Sequence, residues 1–307
     1  MMKHEEFKQK FGEVIVVMTT PFKSNYELDI EGVRKQTRYI IDHGLKGRGV
    51  LIPTGSTGEC PMLREVERKE VIKNVVEEAN GDVLVVPGLN HTDTRVVIDL
   101  AKYSQEVGAD GVMISPPYYW KPTEEVILRH FKAIANEIDL GIVVYNNWFA
   151  SQIDIPVSTL LKLAEIPNVV ALKENTSSLE KWDEVGTLID GKLTVVSGNG
   201  DLHEPCAGLL ASKGLISGIA NFAPARLLEI YDAQQENDFR KACNLHRDLL
   251  PFANFYKGSS SSRYIVYLKE IMNLMGIPAG PARLPLVPLN EEEKAEVKKV
   301  VKAFKFI

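Results

Sequence analysis

The sequence predicts an α/β protein built as a (β/α)8 TIM barrel with a C-terminal helical extension, and three observations predict it. Short apolar runs rich in β-branched residues recur eight times along the first three quarters of the chain. Each run is followed by a turn signal and then by a charged, amphipathic stretch with helical spacing. Most runs show little apolar–polar alternation, which is the pattern of a strand buried on both faces in a parallel sheet. Eight such units close most naturally into a barrel, with a doubly wound open sheet as the alternative arrangement.

The runs, in order, are Val14 to Met18, Gly49 to Pro53, Val83 to Pro87, Gly111 to Ser115, Ile142 to Tyr145, Val169 to Lys173, Leu193 to Ser197 and Gly214 to Ile219. Between them, stretches such as Arg64 to Ala79 and Thr92 to Val107 have helical spacing. Several of these stretches follow a Thr, Ser or Asp, the residues that satisfy the free N–H groups of a helix start. After Pro224 the pattern is helical only: Ala225 to Gln235, read as the eighth barrel helix, then Phe239 to Tyr256, Ser262 to Met275 and Glu291 to Ala303. The barrel is placed at residues 1–235 and the extension at residues 236–307. The run Gly258-Ser259-Ser260-Ser261-Ser262 reads as a loop and helix cap, because no base stands beside its hydroxyls in the sequence.

Composition narrows the function. The chain has 307 residues, 45% hydrophobic and 25% charged, with a net charge of −5, so it has the length for a large core and no basic footprint for nucleic acid. No apolar stretch approaches the roughly 20 residues of a membrane span, and the charged start, Met1 to Lys10, lacks a signal-peptide apolar core. Cys60, Cys206 and Cys243 are odd in number and far apart, which suits a reducing compartment and a cytoplasmic location. The six histidines show no pair spaced for a shared metal, and phosphate-loop and dinucleotide fingerprints are absent, so no motif asks for a cofactor.

The chemistry gathers where a barrel places its active site, at the C-terminal ends of the strands. The sixth run ends on Lys173 and the fifth on Tyr145. A buried lysine is held in its neutral, nucleophilic form, whereas one that closes a strand by reaching into water is not, and the residue types alone leave both open. The second run ends in Gly55-Ser56-Thr57-Gly58-Glu59, whose amides and hydroxyls make either a carboxylate cradle or a plain turn, with Glu59 as a support of the loop. The fourth ends in Pro116-Pro117-Tyr118-Tyr119-Trp120, an aromatic loop or an interface. The glycine-rich ends at Gly198 and after Ile216 either let substrate approach the backbone or are ordinary turns.

Thr19-Thr20-Pro21-Phe22, Gly55 to Glu59, Pro117-Tyr118-Tyr119, Tyr145-Asn146, Leu172-Lys173-Glu174 and Asn221-Phe222-Ala223-Pro224 together resemble the dihydrodipicolinate synthase / N-acetylneuraminate lyase family over essentially the whole chain. The resemblance implies a barrel enzyme, usually a homotetramer, that forms a Schiff base with pyruvate or another 2-oxo acid. By the same resemblance Lys173 is the Schiff-base lysine and Tyr145 the proton shuttle. Ser56 and Thr57 hold the carboxylate, Ser56 also passes a hydrogen bond to Tyr145, and Tyr119 is lent across a subunit interface.

Two departures bear on the substrate. The segment Tyr145-Asn146-Asn147-Trp148-Phe149-Ala150 has Trp148 where family members often have proline, and Ala150 where authentic dihydrodipicolinate synthases carry an arginine for the carboxylate of aspartate semialdehyde. Gly198-Asn199-Gly200-Asp201 is not the acidic pair of the sialic-acid lyases either. The expectation is therefore cleavage of a 2-keto-3-deoxy sugar acid or hydroxy-oxo acid to pyruvate, or its dehydration or deamination. Asn147 and Trp148 are expected to shape the distal pocket. The dihydrodipicolinate synthase reaction is the alternative, and a non-catalytic 2-oxo acid binding or sensor protein is the alternative from another class.

Overall fold

The computed structural model describes residues 2–256 and 263–304. Its eight strands are β1 (Glu13–Val17), β2 (Val50–Ile52), β3 (Leu84–Val85), β4 (Gly111–Ile114), β5 (Gly141–Asn146), β6 (Val169–Glu174), β7 (Thr194–Ser197) and β8 (Gly214–Ser217). All pair in parallel in the order β3-β2-β1-β8-β7-β6-β5-β4, so every pair of sequence neighbours but one is paired in the sheet. The remaining seam, β3 to β4, is closed by backbone hydrogen bonds from Asp110 to Val85 at 3.0 Å, Met113 to Pro87 at 2.9 Å and Leu89 to Met113 at 2.9 Å. This is a (β/α)8 barrel with a C-terminal helical extension, as the runs predict.

Alternation that the sequence barely shows is real inside the barrel. Ile15, Val17, Ile52, Met113, Val143, Ala171, Val196 and Ile216 fill the lumen, while their neighbours Val14, Val16, Leu51, Val112, Ile114, Val144 and Leu172 pack outward against the helices. Both faces are apolar, which is why the runs read as continuous. Local signals start the helices: the side chains of Asp29, Asp93, Thr123 and Ser178 accept hydrogen bonds from first-turn N–H groups of Ile30–Ile40, Thr94–Glu106, Glu124–Ala135 and Leu179–Leu188.

The charged start of the chain does more than its composition announces. Helix His4–Lys10 turns Phe7 into the N-terminal mouth of the barrel, where it stacks on Phe11 with ring centroids 5.4 Å apart. A Cβ on Gly111 or Gly141 would lie 2.5 or 2.7 Å from the Phe7 ring, so β4 and β5 open on glycine to admit that plug.

Helices Pro224–Gln235, Phe239–Ala253, Arg263–Leu274 and Glu291–Ala303 follow β8. Leu249, Phe252, Leu268, Met272 and Val297 of the extension join Val14, Val16 and Leu227 of the barrel in one core, so the extension is part of the barrel's packing. The Gly258 to Ser262 run lies outside the described residues.

Candidate active site

Parallel pairing sets Tyr145 opposite Lys173 on adjacent strands. Lys173 is 4% exposed, and its Nζ stands 3.8 Å from the centroid of the Tyr145 ring. Burial alone pulls the amine down from its ordinary 10.5 to about 7. Burial, with Tyr264 as a lesser contributor, raises the Tyr145 phenol above its ordinary value, while hydrogen bonding by Ser56 and Asn175 acts the other way. The pair is thus a half-neutral amine beside a phenol that keeps its proton.

The residues that follow this pair in sequence hold it in place. Asn146 Nδ2 donates to both carboxylate oxygens of Glu174 at 2.9 Å, and Thr176 N–H donates to Glu174 Oε1 at 2.7 Å. Lys181 Nζ lies 3.6 Å from Glu174 Oε2. The Tyr-Asn and Lys-Glu dipeptides therefore divide the work: the first member of each faces the lumen, and the second ties the two strand ends together from behind.

The Ser56-Thr57 loop is locked from below. Thr20 Oγ1 donates to Gly58 O at 2.7 Å, and Asn221 joins the ends of β1 and β8 by accepting from Thr19 N–H at 3.2 Å and donating to Val17 O at 2.9 Å. Glu59, fully buried, accepts from Lys269 Nζ at 2.5 Å and from Arg283 N–H at 2.8 Å. Lys269 is itself 2% exposed and lowered to about 8 by burial, which Glu59 partly opposes. Two residues of the C-terminal extension thus clamp the barrel's second loop.

A cavity of about 420 Å³ opens over these strand ends. Ser56, Thr57, Tyr145, Lys173, Gly198 and Ile216 all line it, so the structure brings six of the nine expected site residues into one space. The other three, Tyr119, Asn147 and Trp148, are not among its lining residues. Tyr119 is 71% exposed and packs edge-on against Trp120 with centroids 4.9 Å apart. Asn147 precedes the short helix Trp148–Ser151, and the Trp148 indole donates to Asn175 O at 3.1 Å. Phe149 and Ala150 face the cavity instead. Gly198 is glycine for a local reason: a Cβ there would sit 1.6 Å from Asn175 Oδ1.

Asn175, Asp201 and Tyr264 also line the cavity and carry polar groups that the sequence did not single out. Asn175 belongs to the Lys-Glu-Asn run, and its alternation with Lys173 is the signal that was there to use. Asp201 accepts from Ser217 Oγ and, at 3.0 Å, from Gly218 N–H, and burial raises its carboxyl to about 6. Tyr264 comes from the extension and shares a hydrogen bond with Thr57 Oγ1.

Comparison with known proteins agrees with the barrel fold. The family model for the dihydrodipicolinate synthetase family matches residues 10–304. The chain is 36% identical over 293 residues to the 4-hydroxy-tetrahydrodipicolinate synthase of Methanocaldococcus jannaschii, covering 95% of this chain and 98% of that one. Among solved structures, the dihydrodipicolinate synthase of Aquifex aeolicus superposes with a TM-score of 0.90 at 31% identity, over 96% of this chain and 99% of that one. YagE from E. coli K12, a prophage protein of the dihydrodipicolinic acid synthase family solved with pyruvate, gives a TM-score of 0.89 at 28% identity, over 97% and 99% of the two chains.

Proposed function

We propose, from the premise that this chain belongs to the dihydrodipicolinate synthetase family, that its Lys173 amine captures the ketone of pyruvate or a related 2-oxo acid as a Schiff base. The enzyme is a class I, lysine-dependent lyase of the aldolase type. The observation that carries the residue assignment is the buried Lys173 amine lying 3.8 Å from the Tyr145 ring in the same cavity as the Ser56 and Thr57 hydroxyls.

The chemistry follows from these groups. Ser56 and Thr57 hold the carboxylate, which sets the neighbouring carbonyl carbon over Lys173 Nζ. The neutral amine adds to that carbon, and Tyr145 gives its proton to the carbinolamine hydroxyl, which leaves as water. Tyr145, left as the phenolate, takes a proton from the adjacent carbon, which turns the iminium into an enamine, a carbon nucleophile that attacks an aldehyde. Hydrolysis then returns free Lys173. Run backwards, the same steps cleave an aldol.

The names of the relatives favour condensation of pyruvate with aspartate semialdehyde over the cleavage expected from sequence, and we take the synthase reaction as the first reading. One observation supports cleavage of an uncharged-tailed hydroxy-oxo acid as the second. Among the described residues lining the cavity, Lys173 is the one cation, and Ala150 lines it together with Phe149, Leu202 and Ile265, with no arginine to hold a second carboxylate. Kinetics with pyruvate plus aspartate semialdehyde, and in parallel pyruvate release from 2-keto-3-deoxy acids, separate the two. The first reading expects condensation with kcat/KM of about 10⁴ M⁻¹ s⁻¹ or more and no release. Release without condensation would establish the second, and turnover of neither by folded enzyme would reject both.

The proposal includes a homotetramer in which Tyr119 reaches a neighbouring subunit's cavity, supported by the exposure of Tyr119 and Trp120. It also includes a cytoplasmic location, supported by the free thiols of Cys60, Cys206 and Cys243. Among the described residues no helix is long and apolar enough to cross a membrane.

A further inference from the structure

We infer that Tyr264, contributed by the C-terminal extension, is a positioning residue that fixes the direction of the Thr57 hydroxyl so that its proton points into the cavity toward the 2-oxo acid carboxylate. This rests on the proposed role of Thr57 in holding that carboxylate.

The placement is built from both sides. Tyr264 stands in the first turn of helix Arg263–Leu274, lines the cavity, and pairs its phenol oxygen with Thr57 Oγ1. The same helix is anchored to the same loop through the buried Lys269–Glu59 pair, and at its start Arg263 bonds Glu293 and donates to Val287 O at 2.6 Å. The Tyr264–Thr57 contact is therefore held at fixed distance by a helix that cannot slide relative to the loop.

The direction of that hydrogen bond decides what Thr57 can do. A hydroxyl carries one proton and two acceptor positions. Were Thr57 the donor, its only proton would point at Tyr264 and its lone pairs would face an incoming carboxylate, an unfavourable contact. With Tyr264 as donor, Thr57 accepts with one lone pair and keeps its proton for the anion. A phenol is a stronger acid than an aliphatic alcohol and so the better donor, and burial, which lifts Tyr264 to about 12, keeps that proton in place throughout the neutral range. The extension thereby does more than brace the barrel: it sets the polarity of the carboxylate cradle.

Borohydride trapping at a series of pyruvate concentrations tests this in the full-length chain, comparing wild type, Tyr264→Phe, Thr57→Val and the double variant. Tyr264→Phe removes only the hydroxyl, and the pyruvate concentration for half-maximal trapping is expected to rise about tenfold, the scale of a lost hydrogen bond to a charged group. The trapping rate at saturating pyruvate should stay within about twofold, since the phenol orients binding and takes no part in the chemistry. In the Thr57→Val background Tyr264→Phe should have no further effect. A half-maximal concentration within about twofold of wild type, a lowered saturated rate, or an undiminished effect in the Thr57→Val background would overturn the inference. Absence of any adduct in wild type would instead overturn the Schiff-base proposal, and this inference with it.

Discussion

Lys173→Ala is expected to abolish turnover, lowering kcat/KM by about 10⁴-fold or more, because among the described residues no other amine lines the cavity to take over the covalent step. Steady-state assays with wild type and the variant side by side check this. The pH dependence is part of the same expectation. With the amine lowered to about 7, the neutral form is half-populated near neutrality, so at low pyruvate the rate of adduct formation should rise about tenfold per pH unit below pH 7 and level off above it. The stability effect has the same sign as the activity but falls in a higher pH window. An unfolded lysine holds its proton up to its ordinary 10.5, whereas the folded one releases it near 7, so between those values the unfolded chain binds the extra proton and stability increases with pH. The penalty is full below pH 7 and gone above 10.5. Lys173→Met, which fills the space without the charge, should therefore stabilise the protein at pH 7 by something on the order of 3 kcal/mol in urea titrations. Wild-type stability at or above that of Lys173→Met would mean that the amine is solvated and not poised.

The second large effect concerns the clamp beneath the cradle. Lys269→Met leaves the Glu59 carboxylate fully buried, with the Arg283 N–H as its remaining partner. Breaking one side of such a pair is expected to destabilise the protein by about 3–5 kcal/mol. Adding Glu59→Gln to Lys269→Met removes the orphaned charge and should recover a large part of that loss, which identifies the stranded carboxylate as its cause. Denaturant titrations of both variants give the answer: a loss below about 1 kcal/mol in Lys269→Met would show that water reaches Glu59. Because the same loop carries Ser56 and Thr57, the single variant should also raise the pyruvate concentration needed for half-maximal trapping.

The barrel was legible because each strand is a short apolar run and several of the helices between them begin on a capping residue. Lys173 and Tyr145 were legible because they end such runs, and parallel register then places them side by side. What stayed hidden depends on distance along the chain or on a single turn. The partner of Glu59 lies 210 positions away on the extension, and nothing near Glu59 announces it. Tyr264 was equally distant from the loop it serves. Phe7 stands among charged residues in the sequence, and Gly111 and Gly141, far downstream, make room for its ring. Spacing after Tyr145 suggested Trp148 as a pocket residue, and in the short helix Trp148–Ser151 it is the next two residues, Phe149 and Ala150, that line the cavity.

The most direct measurement is borohydride reduction of the wild-type enzyme with pyruvate, followed by mass spectrometry of its peptides. A Schiff-base enzyme with Lys173 as its nucleophile should retain the reduced pyruvyl group on the peptide containing Lys173, with Lys173→Ala unlabelled. A modified peptide that carries a different lysine, or no adduct from folded enzyme, would contradict the assignment.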